Sequence, residues 1–128
     1  MRLESMPTGE ARFLSRRNGT LALRVDTEGR WSFHWNQVAT DSAKIADSAP
    51  LDTTSWHHLA ATHDGATAKL FVDHVLRATA ALPTVRFDAT GLDVGGNGRP
   101  PESAFANAVI DDVRLYDRAL SADEIARL

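Results

Sequence analysis

The acidic side chains are the first candidates for chemistry in this chain of 128 residues, which has 17 Asp and Glu. Glycoside hydrolysis needs two carboxylates close together, and on a strand an E-x-D-x-E run would supply them, because alternate positions of a strand share a face. No Glu of the chain begins such a run, and Asp111 and Asp112 are adjacent, so a strand would direct them to opposite faces. No nucleophile elbow supports a Ser-His-Asp arrangement. The sequence therefore predicts no catalytic residues, and a glycoside hydrolase-like enzyme is kept only as a minor alternative.

Histidine and cysteine are the next side chains with chemical use. The chain has five His and no Cys, which excludes disulfides, thiolate zinc sites and thiol nucleophiles. His57 and His58 are adjacent, so in a strand they point to opposite faces and cannot chelate one ion together. For His57, His63 and His74, partly buried and hydrogen-bonded rings are a simpler interpretation than a metal site.

The charges argue against two classes of partner. Lys and Arg number 14 against 17 acidic residues, for a net charge of −3, and the two signs are interspersed. Nucleic acids and anionic membranes select clustered Lys and Arg. No apolar run reaches the roughly 18–20 residues of a membrane span, and residues 1–7 contain no export signal. We expect neither nucleic-acid binding nor membrane insertion.

Short segments of alternating apolar and polar residues fill most of the chain, separated by Gly, Asp, Asn and Pro. This pattern is typical of an antiparallel sandwich or barrel in one domain, 1–128. Residues 20–25 and 30–36 predict two strands, and the short link 26–29 predicts that they pair as a hairpin. Further strands are expected at 55–63, 66–73, 75–80, 92–94 and 108–116, with mainly loop at 37–54.

One short helix is predicted at the C-terminus. Ser121 and Glu124 have the spacing of a capping box, and Asp123 adds a second acidic residue to the first turn, where the helix dipole favours it. Ile125 and Leu128 then pack on a sheet.

Three segments, in this order along the chain, carry the motifs of one family. They are S-W-H-H-L-A-A-T-H-D-G with A-K-L-F-V-D at 55–73, L-D-V-G-G at 92–96, and A-V-I-D-D-V-R-L-Y-D-R-A-L-S at 108–121. The chain resembles the laminin-G-like branch of the concanavalin A-like jelly rolls. The resemblance implies an all-β, antiparallel jelly-roll β-sandwich with one short C-terminal helix.

Two departures from the family pattern are visible. The family's D-G hairpin turn is Asp73-His74 here, and His adopts a left-handed turn less readily than Gly. Members also usually begin with several strands before an aromatic-valine strand, of which residues 2–7 resemble the tail. The resemblance thus implies a domain that is short at the front, with exposed edge strands open to a second copy or another chain.

The resemblance also implies a ligand and a metal. Lectin-like jelly rolls commonly bind carbohydrate, and some relatives hold calcium at the sandwich edge with a strand carboxylate and loop carbonyls. Asp111 matches the family's motif Asp and is the candidate calcium ligand, since calcium prefers oxygen donors. The alternative is that Asp111 fixes a neighbouring loop by hydrogen bonds.

Candidate sugar ligands lie on one strand and one loop. In strand 30–36 one face carries the aromatic residues Trp31, Phe33 and Trp35. Such a stripe is more often core than binding surface, which leaves the opposite face, with Ser32, exposed. Trp56 is expected in the core as well. The candidate hydroxyl partners are His34, Asn36, Asn97 and Arg99.

Two function classes remain open for a non-catalytic module. One is recognition of a glycan or glycoprotein, and the other is a protein-interaction or oligomerisation module without a sugar site. An exposed Trp in a polar groove favours the first, and paired edge strands or a flat apolar patch favour the second. Extracellular use is typical of the family, but this chain shows no export signal.

Overall fold

The computed structural model describes residues 1–16, 21–35, 44–81, 91–96 and 104–128. Ten strands and one helix lie in these segments. They are β1 (Arg2–Leu3), β2 (Ala11–Arg16), β3 (Leu21–Val25), β4 (Arg30–Trp35), β5 (Lys44–Pro50), β6 (Leu59–His63), β7 (Thr67–Val72), β8 (Val75–Ala81), β9 (Leu92–Val94), β10 (Ala108–Val109) and α1 (Ala122–Ile125). No helix among the described residues is long and apolar enough to cross a membrane.

A five-stranded antiparallel sheet with the order β5-β4-β3-β2-β9 forms one layer. The expected hairpin is confirmed as β3–β4, with Leu21 opposite Trp35 and Val25 opposite Trp31. Asp26 closes its turn by accepting the main-chain N–H groups of residues 28 and 30 at 2.9 Å, and Gly29 takes a φ of 78°. Local turn chemistry therefore sets the register of the two central strands.

The second layer is a three-stranded sheet, β6-β7-β8, accompanied by the short pair β1–β10. The β7–β8 turn places Asp73 and His74 at φ values of 50° and 66°. Both central residues of this hairpin turn are therefore left-handed, which is the geometry that Gly usually occupies. The sandwich consists of two antiparallel layers, as the sequence predicts.

The aromatic stripe of β4 lies in the core between the layers. Trp31 is 1% exposed, and its ring centroid lies 5.8 Å from that of Phe13. Trp35 stacks on His63 of the opposite layer, with centroids 4.4 Å apart. The interpretation of the stripe as core is confirmed.

An ion pair joins the two layers beside this core. Asp47 of β5 points inward and accepts a hydrogen bond from Arg77 Nε of β8 at 2.9 Å. The Asp47 side chain is 2% exposed, whereas that of Arg77 is 35% exposed. The polar residue at an inward position also explains why the sequence shows no clear apolar alternation at β5, where a loop was expected.

Three other predictions differ from the structure. β2 had no predicted counterpart, and the strand predicted at 55–63 is β6, which begins at Leu59. The predicted strand 108–116 is wrong beyond Val109, because β1 pairs only with Ala108 and Val109 and no described strand lies beside the rest. Strand propensity alone does not maintain a ladder without a neighbour.

The C-terminal helix is confirmed. Ser121 accepts from the main-chain N–H of Glu124, and the Glu124 carboxylate accepts from the N–H of Ser121 at 2.8 Å. The helix is only four residues long, and its Ile125 is fully buried.

Candidate functional site

His34 is the only predicted sugar ligand that lies within the described residues. It is on the outer face of the five-stranded sheet, 5% exposed, with Nε2 3.1 Å from the Ser32 hydroxyl. Burial, followed by the positive charges of Arg24, Lys44 and a further Arg, lowers the pKa of His34 to about 3. The expectation that this face is exposed is wrong for Ser32 and His34, both of which are buried. A role for His34 in sugar binding stays a prediction.

The other three predicted sugar ligands, Asn36, Asn97 and Arg99, lie outside the described residues. Their roles therefore stay predictions too.

The outer face around His34 carries a charged cluster. Glu10 accepts a hydrogen bond from Arg12 Nε at 2.7 Å and forms an ion pair with Arg24. Arg24 is itself buried, so the cluster is held against the sheet and not extended into water. Carboxylate and guanidinium groups bind sugar hydroxyls, but here they bind each other.

The structure places Asp111, the candidate calcium ligand, at an exposed position just after β10. Its Oδ1 accepts the main-chain N–H of Asp112 at 2.8 Å, and Asp112 has a φ of 55°. In the segments that the structure covers, no three His, Asp or Glu side chains are grouped to hold a metal ion. The described side chains therefore do not assemble a calcium site, although calcium binding itself stays a prediction.

An exposed indole lies where a core residue was expected. Trp56 is 51% exposed, and the Arg2 guanidinium carbon lies 5.9 Å from the centroid of its ring. Arg2 is held by Glu4 at 2.7 Å. Leu59 and Ala61 face the core, and alternation from them puts Trp56 on the outer side. The odd spacing of three positions between Trp56 and Leu59 in the motif was the signal for this outward direction, and the sequence-based expectation did not use it.

The main chain next to Trp56 is fixed on both sides. Met1 and His57 exchange two main-chain hydrogen bonds, each 2.7 Å long. Asp52 accepts from the N–H groups of Thr54 and Ser55 at 2.7 and 2.6 Å, which lowers the pKa of the Asp52 carboxyl. These bonds hold the indole outside the regular ladder of β6.

His57 lies between two carboxylates beside the indole. Its Nδ1 is 2.9 Å from Asp73 Oδ2, and its Nε2 is 3.5 Å from Asp52 Oδ2. Asp73 Oδ1 also accepts the His58 main-chain N–H at 2.9 Å. Burial raises the pKa of Asp73, but the hydrogen bonds from His57 and His58 outweigh it and the net pKa is lowered. Asp73 is therefore ionised at neutral pH.

The left-handed His74 is explained by its side chain. Its ring stacks on His58 with centroids 4.5 Å apart, and its Nδ1 lies 2.9 Å from the carbonyl oxygen of Ile125 in α1. Burial, and then the neighbouring His74, lower the pKa of His58. The residue that replaces Gly in the turn thus connects the three-stranded sheet to the C-terminal helix.

Trp56, with Arg2, Asp52, His57 and Asp73, is named here the Trp56 surface. It borders a cavity of about 1170 Å³ between the layers. The flat indole offers a stacking face, and the carboxylates and guanidinium offer acceptors and donors for hydroxyl groups. This is the combination of groups that a sugar ring requires.

Three solved structures show the fold of this chain. The first is an S-layer domain-containing protein of Clostridium thermocellum, at 24% identity and a TM-score of 0.55, with 99% of this chain and 65% of that chain covered. The second, described as a putative carbohydrate binding protein from Bacteroides ovatus, has 16% identity and a TM-score of 0.82, with 98% of this chain and 38% of that chain covered. The sialidase CBM40 of Ruminococcus gnavus, bound to alpha2,3 sialyllactose, has 19% identity and a TM-score of 0.78, with 98% and 77% covered.

The chain spans less than two thirds of the first two of these structures. At these identities the likeness concerns the fold, and it confirms the jelly-roll β-sandwich. No curated protein matches the chain significantly. The Laminin_G_3 family model matches residues 1–126. The chain therefore belongs to this laminin-G-like family of the concanavalin A-like lectin/glucanases superfamily.

Proposed function

We propose that this domain is a non-catalytic recognition module that binds a glycan or the glycan of a glycoprotein at the Trp56 surface. The observation that carries the proposal is the half-exposed indole of Trp56 among charged side chains. Large aromatic side chains are usually buried or used in recognition, and an indole face stacks on the apolar face of a sugar ring.

The neighbouring groups suit hydroxyl recognition. Asp52 and Asp73 are ionised acceptors, and Arg2 is a donor whose direction is set by Glu4. Arg2 approaches the ring of Trp56, so a sugar stacks on the part of the indole that Arg2 leaves open. Two structural neighbours, the Bacteroides ovatus protein and the Ruminococcus gnavus CBM40 bound to alpha2,3 sialyllactose, support this ligand class.

The test is a broad glycan array followed by calorimetry on the best ligand. We expect Trp56→Ala to weaken binding at least tenfold, which corresponds to about 1.4 kcal/mol. Leu76→Ala is the matched control, because Leu76 is also half-exposed but lies on β8 outside the Trp56 surface. Equal affinities of the wild-type and Trp56→Ala proteins would refute this location.

A second location follows from the sequence predictions, with His34, Asn36, Asn97 and Arg99 as ligands. Alanine variants at Asn97 and Arg99 distinguish the two locations, because neither residue is a member of the Trp56 surface as defined above. His34 has only 5% of its surface exposed, so a ligand there requires the surrounding chain to move.

The alternative class is a protein-interaction or oligomerisation module. This class is supported by the exposed apolar side chains after β10, where Val113 is 50% exposed and Leu115 is 66% exposed. An array with no glycan bound, together with a stable dimer by light scattering, would favour this class. The minor alternative, a glycoside hydrolase-like enzyme, is not supported by the sequence motifs, because none of them places two carboxylates on one face of a strand.

Calcium binding at Asp111 is a separate proposal, supported by the family resemblance and the exposed carboxylate. Comparison of thermal melts in chelator and in millimolar calcium tests it. A rise in Tm with calcium that is lost in Asp111→Asn supports the site, and identical melts remove it.

A further inference from the structure

A second exposed aromatic ring belongs to Phe105, in the segment just before β10. Phe105 is 64% exposed, the largest exposed fraction of any aromatic side chain in the described segments. One side of the ring rests on Gly96, where an added Cβ would lie 2.6 Å from Cδ1 and 3.0 Å from Cε1 of the ring. The missing side chain of Gly96 therefore makes room for the ring, and much of the ring surface stays open to water.

The main chain on both sides of Phe105 is fixed by hydrogen bonds. The carbonyl oxygen of Ala104 accepts from the N–H of Arg12 at 2.9 Å, and the N–H of Ala106 donates to the carbonyl oxygen of Gly95 at 3.0 Å. Ala104 also has a φ of 59°, a conformation that residues other than Gly seldom adopt. The exposed ring is therefore held in one place, and a ligand that stacks on it does not have to order the chain first.

A cavity of about 400 Å³ opens beside this ring, between residues 5–11 and 104–107. Its size lies within the range of about 300–1,000 Å³ that is usual for small-molecule sites. Asn107 Nδ2 donates to Ser5 Oγ at 2.9 Å, which sets the direction of the amide. An amide bound in this way still has an oxygen and a second N–H to offer, and the exposed Thr8 adds a hydroxyl group.

Glu10 is the charged residue of the cavity lining, and its charge is compensated. Its Oε1 accepts from Arg12 Nε at 2.7 Å, and its Oε2 forms the ion pair with Arg24. The other polar side chains of the lining are an amide and hydroxyl groups, which carry no charge. The cavity therefore suits an uncharged ligand that forms hydrogen bonds.

We propose that this cavity is a second binding site and that it takes one neutral pyranose ring of a glycan. The apolar face of the sugar stacks on Phe105, and its hydroxyl groups bond Ser5, Thr8 and Asn107. We call it the Phe105 pocket, lined by Ser5, Met6, Thr8, Glu10, Phe105 and Asn107. It shares no residue with the Trp56 surface, so the argument for it does not depend on Trp56.

The polar lining favours a sugar over an apolar partner. Met6 and Pro7 also border the cavity, so an apolar side chain fits it by shape. Such a ligand would remove the Asn107 amide and the Thr8 hydroxyl from water without replacing their hydrogen bonds, which is unfavourable. Sugar hydroxyl groups replace those bonds, while the C–H groups of the ring cover the aromatic face of Phe105.

The test is an NMR titration of the isotope-labelled 128-residue chain with the methyl glycosides of glucose, galactose and mannose. The main-chain amide signal of Phe105 and the side-chain amide signals of Asn107 report on the pocket. We expect at least one glycoside to shift both in a saturable way. Sorbitol carries hydroxyl groups on an open chain without a ring face, and we expect it to shift neither.

Two substitutions at Phe105 separate stacking from apolar packing, with the Asn107 side chain as the reporter. Phe105→Tyr keeps a flat ring on Gly96 and is expected to retain the affinity. Phe105→Leu keeps an apolar side chain but has no flat face, and we expect binding at least tenfold weaker. Trp56→Ala is the matched control, because it removes an exposed aromatic ring outside the pocket and should leave the Asn107 shifts unchanged. Circular dichroism checks that all three variants fold.

Three results overturn the proposal. In the first, no glycoside shifts the signals of Phe105 and Asn107 in the folded wild-type chain. In the second, Phe105→Leu binds as tightly as the wild type, so the flat ring is not the contact. In the third, Trp56→Ala abolishes the Asn107 shifts, so the pocket is not a separate site. The first two leave glycan binding at the Trp56 surface intact, because that proposal is tested by array binding of Trp56→Ala.

Discussion

The ion pair between the layers allows a quantitative prediction. Arg77→Met keeps most of the length and the apolar stem of the side chain but removes the cation. It leaves the Asp47 carboxylate, with a side chain only 2% exposed, without the Arg77 hydrogen bond of 2.9 Å. The remaining hydrogen bond to Asp47 is the main-chain N–H of Ala49, at 3.1 Å.

The magnitude follows from the burial of the two partners. Removal of one partner of a fully buried ion pair costs about 3–5 kcal/mol. Arg77 is 35% exposed, so water reaches one side of the pair and reduces the cost to about 2–3 kcal/mol. For a domain of this size, 1 kcal/mol corresponds to roughly 4 °C, so we expect the Tm to fall by about 8–12 °C.

The assay is thermal and urea unfolding of Arg77→Met beside Arg114→Met. The control removes Arg114 from Asp112, a pair at 2.7 Å whose side chains are 45% and 65% exposed, and little change is expected. The double variant Asp47→Asn with Arg77→Met should regain part of the loss, because no charge is then left buried. Equal and small effects of Arg77→Met and Arg114→Met would refute the reasoning.

Three further predictions concern single positions. The pKa of His34 is about 3 in the folded chain, below the ordinary 6.5, so between these values the unfolded chain binds a proton that the folded chain does not. The free energy of unfolding therefore falls as the pH drops below about 6.5, by at most about 1.4 kcal/mol per pH unit. His34→Gln should flatten the profile of Tm against pH between pH 7 and 4, and an unchanged slope would contradict the burial of His34. Gly29→Ala forces a Cβ onto a φ of +78° and within 3.1 Å of the Leu51 carbonyl oxygen, so we expect a loss of about 1–2 kcal/mol in urea unfolding, and a neutral effect would argue against the left-handed turn. Ser121→Ala removes the acceptor for the Glu124 N–H and should cost about 1 kcal/mol, whereas Ser121→Asp retains the cap and should keep the Tm close to that of the wild type.

Local patterns predicted those parts of the fold whose determinants are close in sequence. The hairpin β3–β4 follows from alternation on both sides of a turn at residues 26–29, and the helix follows from the Ser121 capping box. β5 was missed because its inward Asp47 breaks the apolar alternation, and the partner that makes this burial favourable is 30 residues away. A pattern within one segment cannot show such a partner.

The candidate site was less predictable for the same reason. Alternation from Leu59 directs Trp56 outward, but the family resemblance favoured the core. The Met1–His57 pairing and the hydrogen bonds that Asp52 accepts explain the exposed position. His34 was assigned to an exposed face by alternation. The structure buries it with Ser32, because burial of a face depends on what packs against the sheet.

The sequence by itself determined the family, the antiparallel β class, the central hairpin and the helix cap, since each depends on residue types at fixed short spacing. Only the tertiary structure decided that Trp56 is exposed, that His34 is buried, and that β6 pairs with β7 alone among the described strands. These features depend on which strands meet across the sandwich. Strand pairing joins residues far apart in the chain, so its presence or absence is a property of the assembled layers.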